Sequence, residues 1–200
     1  MKNLNKILLV LVMCLLTTQN LFGNEQEKVK ELFLKKIETV VNIIKEPNIT
    51  KDERNSKIVD LLTPTFDFEI MAKLSLGSRE WSKLNSEQKK QFVKLYVERM
   101  KQSYSSKLDS YDGQVVEVTD IKQSKSNRIE LITNIENEDK KLEVGYKYYK
   151  PSKKEDGKDE WLIYDVTILG ISILKTDRAQ FSEFLQTKTI DELISKLSNS

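Results

Sequence analysis

The chain has 200 residues, 33 Lys and Arg against 31 Asp and Glu, a formal net charge of +2 and no histidine. That length suits one domain around one core, and so small a net charge supplies no global field for holding nucleic acid. Without histidine, and with Cys14 as the lone cysteine, the usual zinc ligands and the commonest general base are missing.

Residues 1–23 read as a secretory signal peptide. Lys2 and Lys6 precede the unbroken apolar run Ile7 to Leu16, and Thr17 to Gly23 is short and polar. Ten apolar residues are too few to span a bilayer. Gly23 is the small residue before the cut, so the working chain is expected to start near Asn24. Cys14 falls inside the discarded run. Losing Lys2 and Lys6 leaves 31 basic and 31 acidic residues and no cysteine, so the expected fold uses no disulfide.

The first half, 24–113, reads as helical. Val29, Leu32, Phe33, Ile37, Val40, Val41 and Ile44 recur at three- and four-residue spacing and predict a helix from Glu25 to Lys45, closed by Glu46-Pro47-Asn48. Thr50 with Glu53 is a capping-box pattern and opens a second helix to about Leu62, which Thr63-Pro64 breaks. Thr65 or Asp67 can cap a third from about Phe68 to Leu76, with Gly77 as its stop. A short turn carrying Trp81 and Leu84 leads to Asn85, which caps the longest helix, from Ser86 to about Ser110. Its inner stripe is Phe92, Leu95, Tyr96, Met100, Tyr104, Leu108 and Tyr111.

The second half, 114–200, changes period. Gln114 to Ile121, Arg128 to Ile135, Lys141 to Tyr149 and Glu160 to Leu169 alternate apolar with polar and are rich in β-branched and aromatic residues, which predicts a four-stranded antiparallel sheet. Gly170 ends the sheet. Helices follow at about 172–187 and 189–197, the second opened by a Thr189–Glu192 capping box. The class is α+β, with N-terminal and C-terminal helices packed on one sheet face.

Catalytic chemistry finds little support. There is no serine–histidine or cysteine–histidine arrangement, no nucleophile elbow and no phosphate-cradling glycine loop. Asp67 and Glu69 read as capping groups at a helix start. Tyr164 and Asp165 are neighbours on a strand and so face opposite sides. Binding fares better. One sheet face carries Ile129, Leu131, Leu142, Val144, Tyr146, Tyr148, Tyr164, Val166 and Ile168. Such a face fits a close-packed core, which composition favours, or the wall of a cavity with a wet mouth.

Fixed-order motifs add a resemblance. FDFE-x-MA at 66–72, LG at 76–77, Trp81, EQ-x3-F at 87–92, Tyr104, L-x2-Y-x-GQ at 108–114, W-x-IYDV at 161–166, GISI at 170–173 and ID-x-LI at 190–194 resemble the MlaC family of periplasmic phospholipid-binding proteins. The resemblance covers nearly all of 24–200. It implies a nuclear-transport-factor-like fold whose helices and sheet enclose an apolar cavity. It implies a soluble periplasmic carrier shuttling phospholipid between outer and inner membranes to maintain outer-membrane lipid asymmetry, with lipid as cargo, no cofactor and no bond chemistry. The implied partners are an inner-membrane lipid ABC transporter complex and an outer-membrane lipoprotein–porin complex. Ile171, in GISI, matches a cavity-lining position of the family. Inward periodicity adds Met71, Leu74, Leu95, Tyr104, Leu108, Ile129, Leu131, Val144, Tyr146, Tyr164, Val166 and Ile168 as expected lipid contacts.

Overall fold

A computed structural model describes the backbone of residues 2–108, 114–137 and 140–199, and the side chains of 23–103, 114–136 and 141–199. The helices are α1 (Lys2–Ile44), α2 (Lys51–Leu62), α3 (Phe68–Leu76), α4 (Ser78–Lys83), α5 (Ser86–Leu108), α6 (Ile173–Phe184) and α7 (Ile190–Ser198). The strands are β1 (Val115–Lys125), β2 (Arg128–Asn137), β3 (Lys140–Tyr149), β4 (Leu162–Ile168) and β5 (Ile171–Ser172). All pair antiparallel, in the order β1-β2-β3-β4-β5.

Local signals set most boundaries. Thr50 and Glu53 form the capping box of α2, and Thr189 and Glu192 that of α7. Asp67 caps α3 by accepting from the Ile70 N–H at 2.9 Å, and Asn85 accepts from Gln88 N–H at 2.8 Å at the head of α5. Gly77 sits between α3 and α4 at φ 85 and ψ 149, a conformation essentially reserved for glycine. The segment after it, expected as a turn, is the short helix α4. The first helix begins at Lys2 rather than Glu25. Apart from Gly23, the side chains of the predicted signal segment lie outside the described residues.

The sheet has five strands, not the four expected. Leu169 (φ 50) and Gly170 (φ 77) form a two-residue turn that sends the chain back, so that Ile171 pairs with Ile168. Positive φ at both turn residues matches the twist of a tight hairpin. A leucine in the first position hides that turn from sequence, because the usual marker is Asn-Gly or Asp-Gly. A second departure lies within β4. Lys147 faces Asp165, yet Tyr148 faces Ile163, so Tyr164 is an extra residue at a β-bulge. Simple alternation puts Tyr164 in one row with Val166 and Ile168. The bulge gives that place to Ile163 instead.

The core lies between the sheet and the helices. Leu131, Met71, Ala72, Phe92, Tyr96 and Ile58 are wholly buried. The helix α3 packs on α5 and α6, and α5 also meets α7. There Phe92 stacks on Tyr96 and meets Trp81 and Phe181 edge-on. The helix α1 instead packs against α2 and β1.

Candidate functional site

A pocket of about 160 Å³ opens beneath α1. Its walls come from Val29, Leu32, Phe33 and Ile37 of α1, from Leu62 and Phe66 around the end of α2, and from Tyr146, Tyr148, Trp161 and Ile163 of the sheet side. Apart from ring hydroxyls and the indole N–H, its polar lining is Lys36, Thr65 and Asp159. The Phe33 and Tyr146 rings touch across it, their centroids 4.9 Å apart. Leu32 is 44% exposed, and Lys36 and Asp159 are part-exposed, so the opening to water lies along this edge of α1.

Polar contacts tie α1 down at two places. Toward its C-terminal end, Lys36 Nζ lies 2.8 Å from Asp159 Oδ2, and the same oxygen accepts from Thr65 Oγ1 at 2.9 Å. Near its middle, Glu25 Oε2 accepts from Trp161 Nε1 at 2.8 Å and from Lys150 Nζ at 3.2 Å. Burial alone pushes the Glu25 carboxyl up. The Trp161 indole, Lys28 and Lys150 outweigh it and hold Glu25 below its ordinary value. The loop between β3 and β4 is fastened beside the pocket, where Lys158 Nζ donates to the Phe66 carbonyl at 2.8 Å and the Asp159 N–H to the Pro64 carbonyl at 3.2 Å.

The tyrosines facing this space stay neutral. Burial pushes Tyr146 up to about 12, although a hydrogen bond with Thr133 opposes the rise. Tyr148 is raised further by burial and by the negative charges of ionised Tyr146 and of Asp159. Both therefore offer an apolar ring and an uncharged hydroxyl at neutral pH.

Of the eleven expected residues whose side chains are described, Tyr146 is the one in the walls of this pocket. Met71, Ile129, Leu131, Val144 and Val166 are buried in the core, and Leu95 and Ile168 are half-buried. Leu74 is 39% and Ile171 66% exposed. Tyr164 packs edge-on against Tyr149, and the Arg128 guanidinium lies over both rings. Tyr104 and Leu108 belong to α5, but their side chains lie outside the described residues.

What sequence reading missed is the α1 wall together with Trp161, Ile163 and the Lys36–Asp159 pair. The inward stripe of α1 was legible, but nothing local says which surface it covers.

Among the described residues, two buried aspartates tie elements together. Asp165 accepts from Ser172 Oγ at 2.9 and 2.8 Å and pairs with Lys147 at 3.3 Å, which fixes the head of α6 to β4. Asp177 accepts from Tyr96 Oη at 3.0 Å and Arg99 Nη2 at 2.9 Å, joining α6 to α5.

Three comparisons bear on this arrangement. The family described as MlaC protein matches residues 35–199. The intermembrane phospholipid transport system binding protein MlaC of Haemophilus influenzae is 28% identical over 142 residues, covering 70% of this chain. The match spans 64% of that relative's length. Among solved structures, the phospholipid-binding protein from Ralstonia solanacearum, in complex with a phospholipid, superposes with a TM-score of 0.69 at 19% identity. That match covers 87% of this chain and 94% of the other, and it establishes a shared fold.

Proposed function

The chain belongs to the MlaC family, and on that premise we propose that it is a soluble periplasmic carrier of phospholipid between the outer and inner membranes. The observation that carries this reading is the pocket under α1, whose walls are apolar and aromatic and whose polar groups gather at its open edge. A carrier needs that division. Each methylene taken out of water is worth about 0.8 kcal/mol, so two chains of roughly fifteen carbons need on the order of 20 kcal/mol of apolar shelter. The headgroup needs only a wet rim.

The space now open is about 160 Å³. That is smaller than the roughly 300–1,000 Å³ of ordinary small-molecule sites. Loading therefore requires α1 to move away from β3. The moving wall would carry Val29, Phe33 and Ile37. The fixed wall would be Tyr146, Tyr148 and Ile163, with Ile129, Leu131, Val144 and Val166 behind it. Ile171 and Leu74, exposed in the closed form, would be further contacts once the shell opens. An inner-membrane lipid ABC transporter complex and an outer-membrane lipoprotein–porin complex would take and give the cargo, which requires no cofactor.

The test is extraction and mass spectrometry of lipid from the purified protein, after expression with its N-terminal segment intact. Phospholipid near one per chain is expected. Protein that emerges empty from repeated preparations, and stays empty after incubation with phospholipid vesicles, would overturn the reading.

A further inference from the structure

At the open edge of the pocket, two donors converge on one acceptor oxygen. Lys36 Nζ lies 2.8 Å and Thr65 Oγ1 2.9 Å from Asp159 Oδ2. An ammonium and a hydroxyl aimed at a single anionic oxygen is the donor set of a phosphate site. The chain's own carboxylate fills it. Among the described residues that line the pocket, Lys36 is also the one cation. Thr65 is 6% exposed and belongs to the short 3-10 turn Thr63–Thr65, whereas the Asp159 side chain is part-exposed and has water to swing into.

We propose that Lys36 and Thr65 form the phosphate contact of the cargo, and that Asp159 is a built-in stand-in which a lipid phosphodiester displaces. The proposal rests on the carrier reading above. An acyl chain seated between Phe33, Tyr146 and Ile163 must leave its polar end at the Leu32–Lys36 edge, because that is where the pocket meets water. The phosphodiester there carries one negative charge on oxygens that accept hydrogen bonds, as the Asp159 carboxylate does. Exchange keeps Lys36 paired throughout, so no buried charge is stranded. Release of Asp159 also frees α1 from its Lys36 tie to the β3–β4 loop, which couples headgroup arrival to widening of the pocket. The phosphate is common to all phospholipids. The site would therefore sort phospholipid from phosphate-free lipid while ignoring the rest of the headgroup.

The test offers the full protein mixed vesicles of phosphatidylethanolamine, phosphatidylglycerol and a diacylglycerol with the same chains, then quantifies the lipid it carries away. Wild type is expected to prefer phospholipid over diacylglycerol by about tenfold, the size of one charge-assisted contact. Lys36→Met is expected to bring that ratio near one by losing phospholipid uptake, Lys36→Arg to keep most of the preference, and Asp159→Asn to raise phospholipid uptake. Millimolar inorganic phosphate is expected to leave the wild-type ratio unchanged. Should phosphate alone reduce it to the Lys36→Met level, the site serves free phosphate and the proposal falls. It falls equally if Lys36→Met and Asp159→Asn both carry lipid in the wild-type ratio. Wild type that takes up neither lipid would instead remove the carrier reading itself.

Discussion

Trp161 Nε1 donates to Glu25 Oε2 at 2.8 Å, joining the start of β4 to α1 across 136 positions of sequence. Trp161 is 2% exposed, so its indole N–H has no water to fall back on, and Glu25 is the partner that satisfies it. The contact therefore does two things. It closes one end of the α1 wall, and it makes burial of Trp161 depend on where α1 lies. Glu25→Ala is expected to leave the fold intact and loosen α1. Amide exchange should rise along 29–40 in particular, because Glu25 anchors the N-terminal edge of that stretch. Protection equal to wild type there would mean that the apolar contacts of Val29 and Phe33 hold α1 unaided.

The same contact sets an acid response. Glu25 lies below its ordinary value of 4.5 in the folded chain. A depressed carboxyl contributes stability that is present above its unfolded value and lost as pH falls through the folded one. The Glu25 clamp should weaken below about pH 4.5. Trp161 emission, read in a Trp81→Phe background, should shift to the red over that range, and Glu25→Gln should abolish the step.

An alkaline response has the opposite sign. Burial, followed by the negative charge of Asp177 and its hydrogen bond, raises Tyr96, while burial lifts Tyr146 to about 12. Tyr148 and Tyr149 are raised as well, first by burial. For Tyr149 the next cause is its hydroxyl bond to Asp67. A raised group contributes stability that is complete below its unfolded value, near 10 for tyrosine, and lost as pH climbs. The urea midpoint is expected to fall steeply as pH rises from about 10 toward 12. A flat midpoint across that interval would show that these rings are not buried as described.

Tyr96 also tests the α5–α6 joint. Its hydroxyl bonds Asp177, which is 4% exposed and shared with Arg99. Tyr96→Phe removes one donor and leaves part of a buried carboxylate unpaired, which costs about 1–3 kcal/mol. Chemical denaturation should show a lower midpoint with an unchanged slope. Phospholipid carried per folded molecule should not change, since Tyr96 is not among the pocket walls.

At Gly77, φ is 85 and a Cβ would come 2.9 Å from Arg178 Nε. The arginine can move aside, but the backbone cannot relax without re-aiming α3 relative to α4. Gly77→Ala is therefore expected to cost about 1–3 kcal/mol, mostly as strain. Alanine at an exposed site on α4, such as Ser82, should change stability by less than about 0.5 kcal/mol.

Sequence alone determined what depends on neighbours a few residues away. The caps at Thr50, Asp67, Asn85 and Thr189 were readable because each acts within one turn, and the stop at Gly77 because few residues other than glycine accept its backbone angles. Strand and helix periods placed the change from helices to sheet, and motifs in fixed order pointed to the family. Only the tertiary structure decided which surfaces meet. The bulge at Tyr164 takes that ring out of the row in which strict alternation puts it, and Ile163 lines the pocket instead. The turn at Leu169 and Gly170 adds a strand that no turn signal announced. Lys36, one lysine among many on an ordinary amphipathic helix, acquires its role from Asp159, far away in the chain. The physical reason is the same in each case. Periodicity and capping are local and repeat by rule, whereas a bulge, a tight reversal and the pairing of α1 with the β3–β4 loop are settled by packing the whole chain at once.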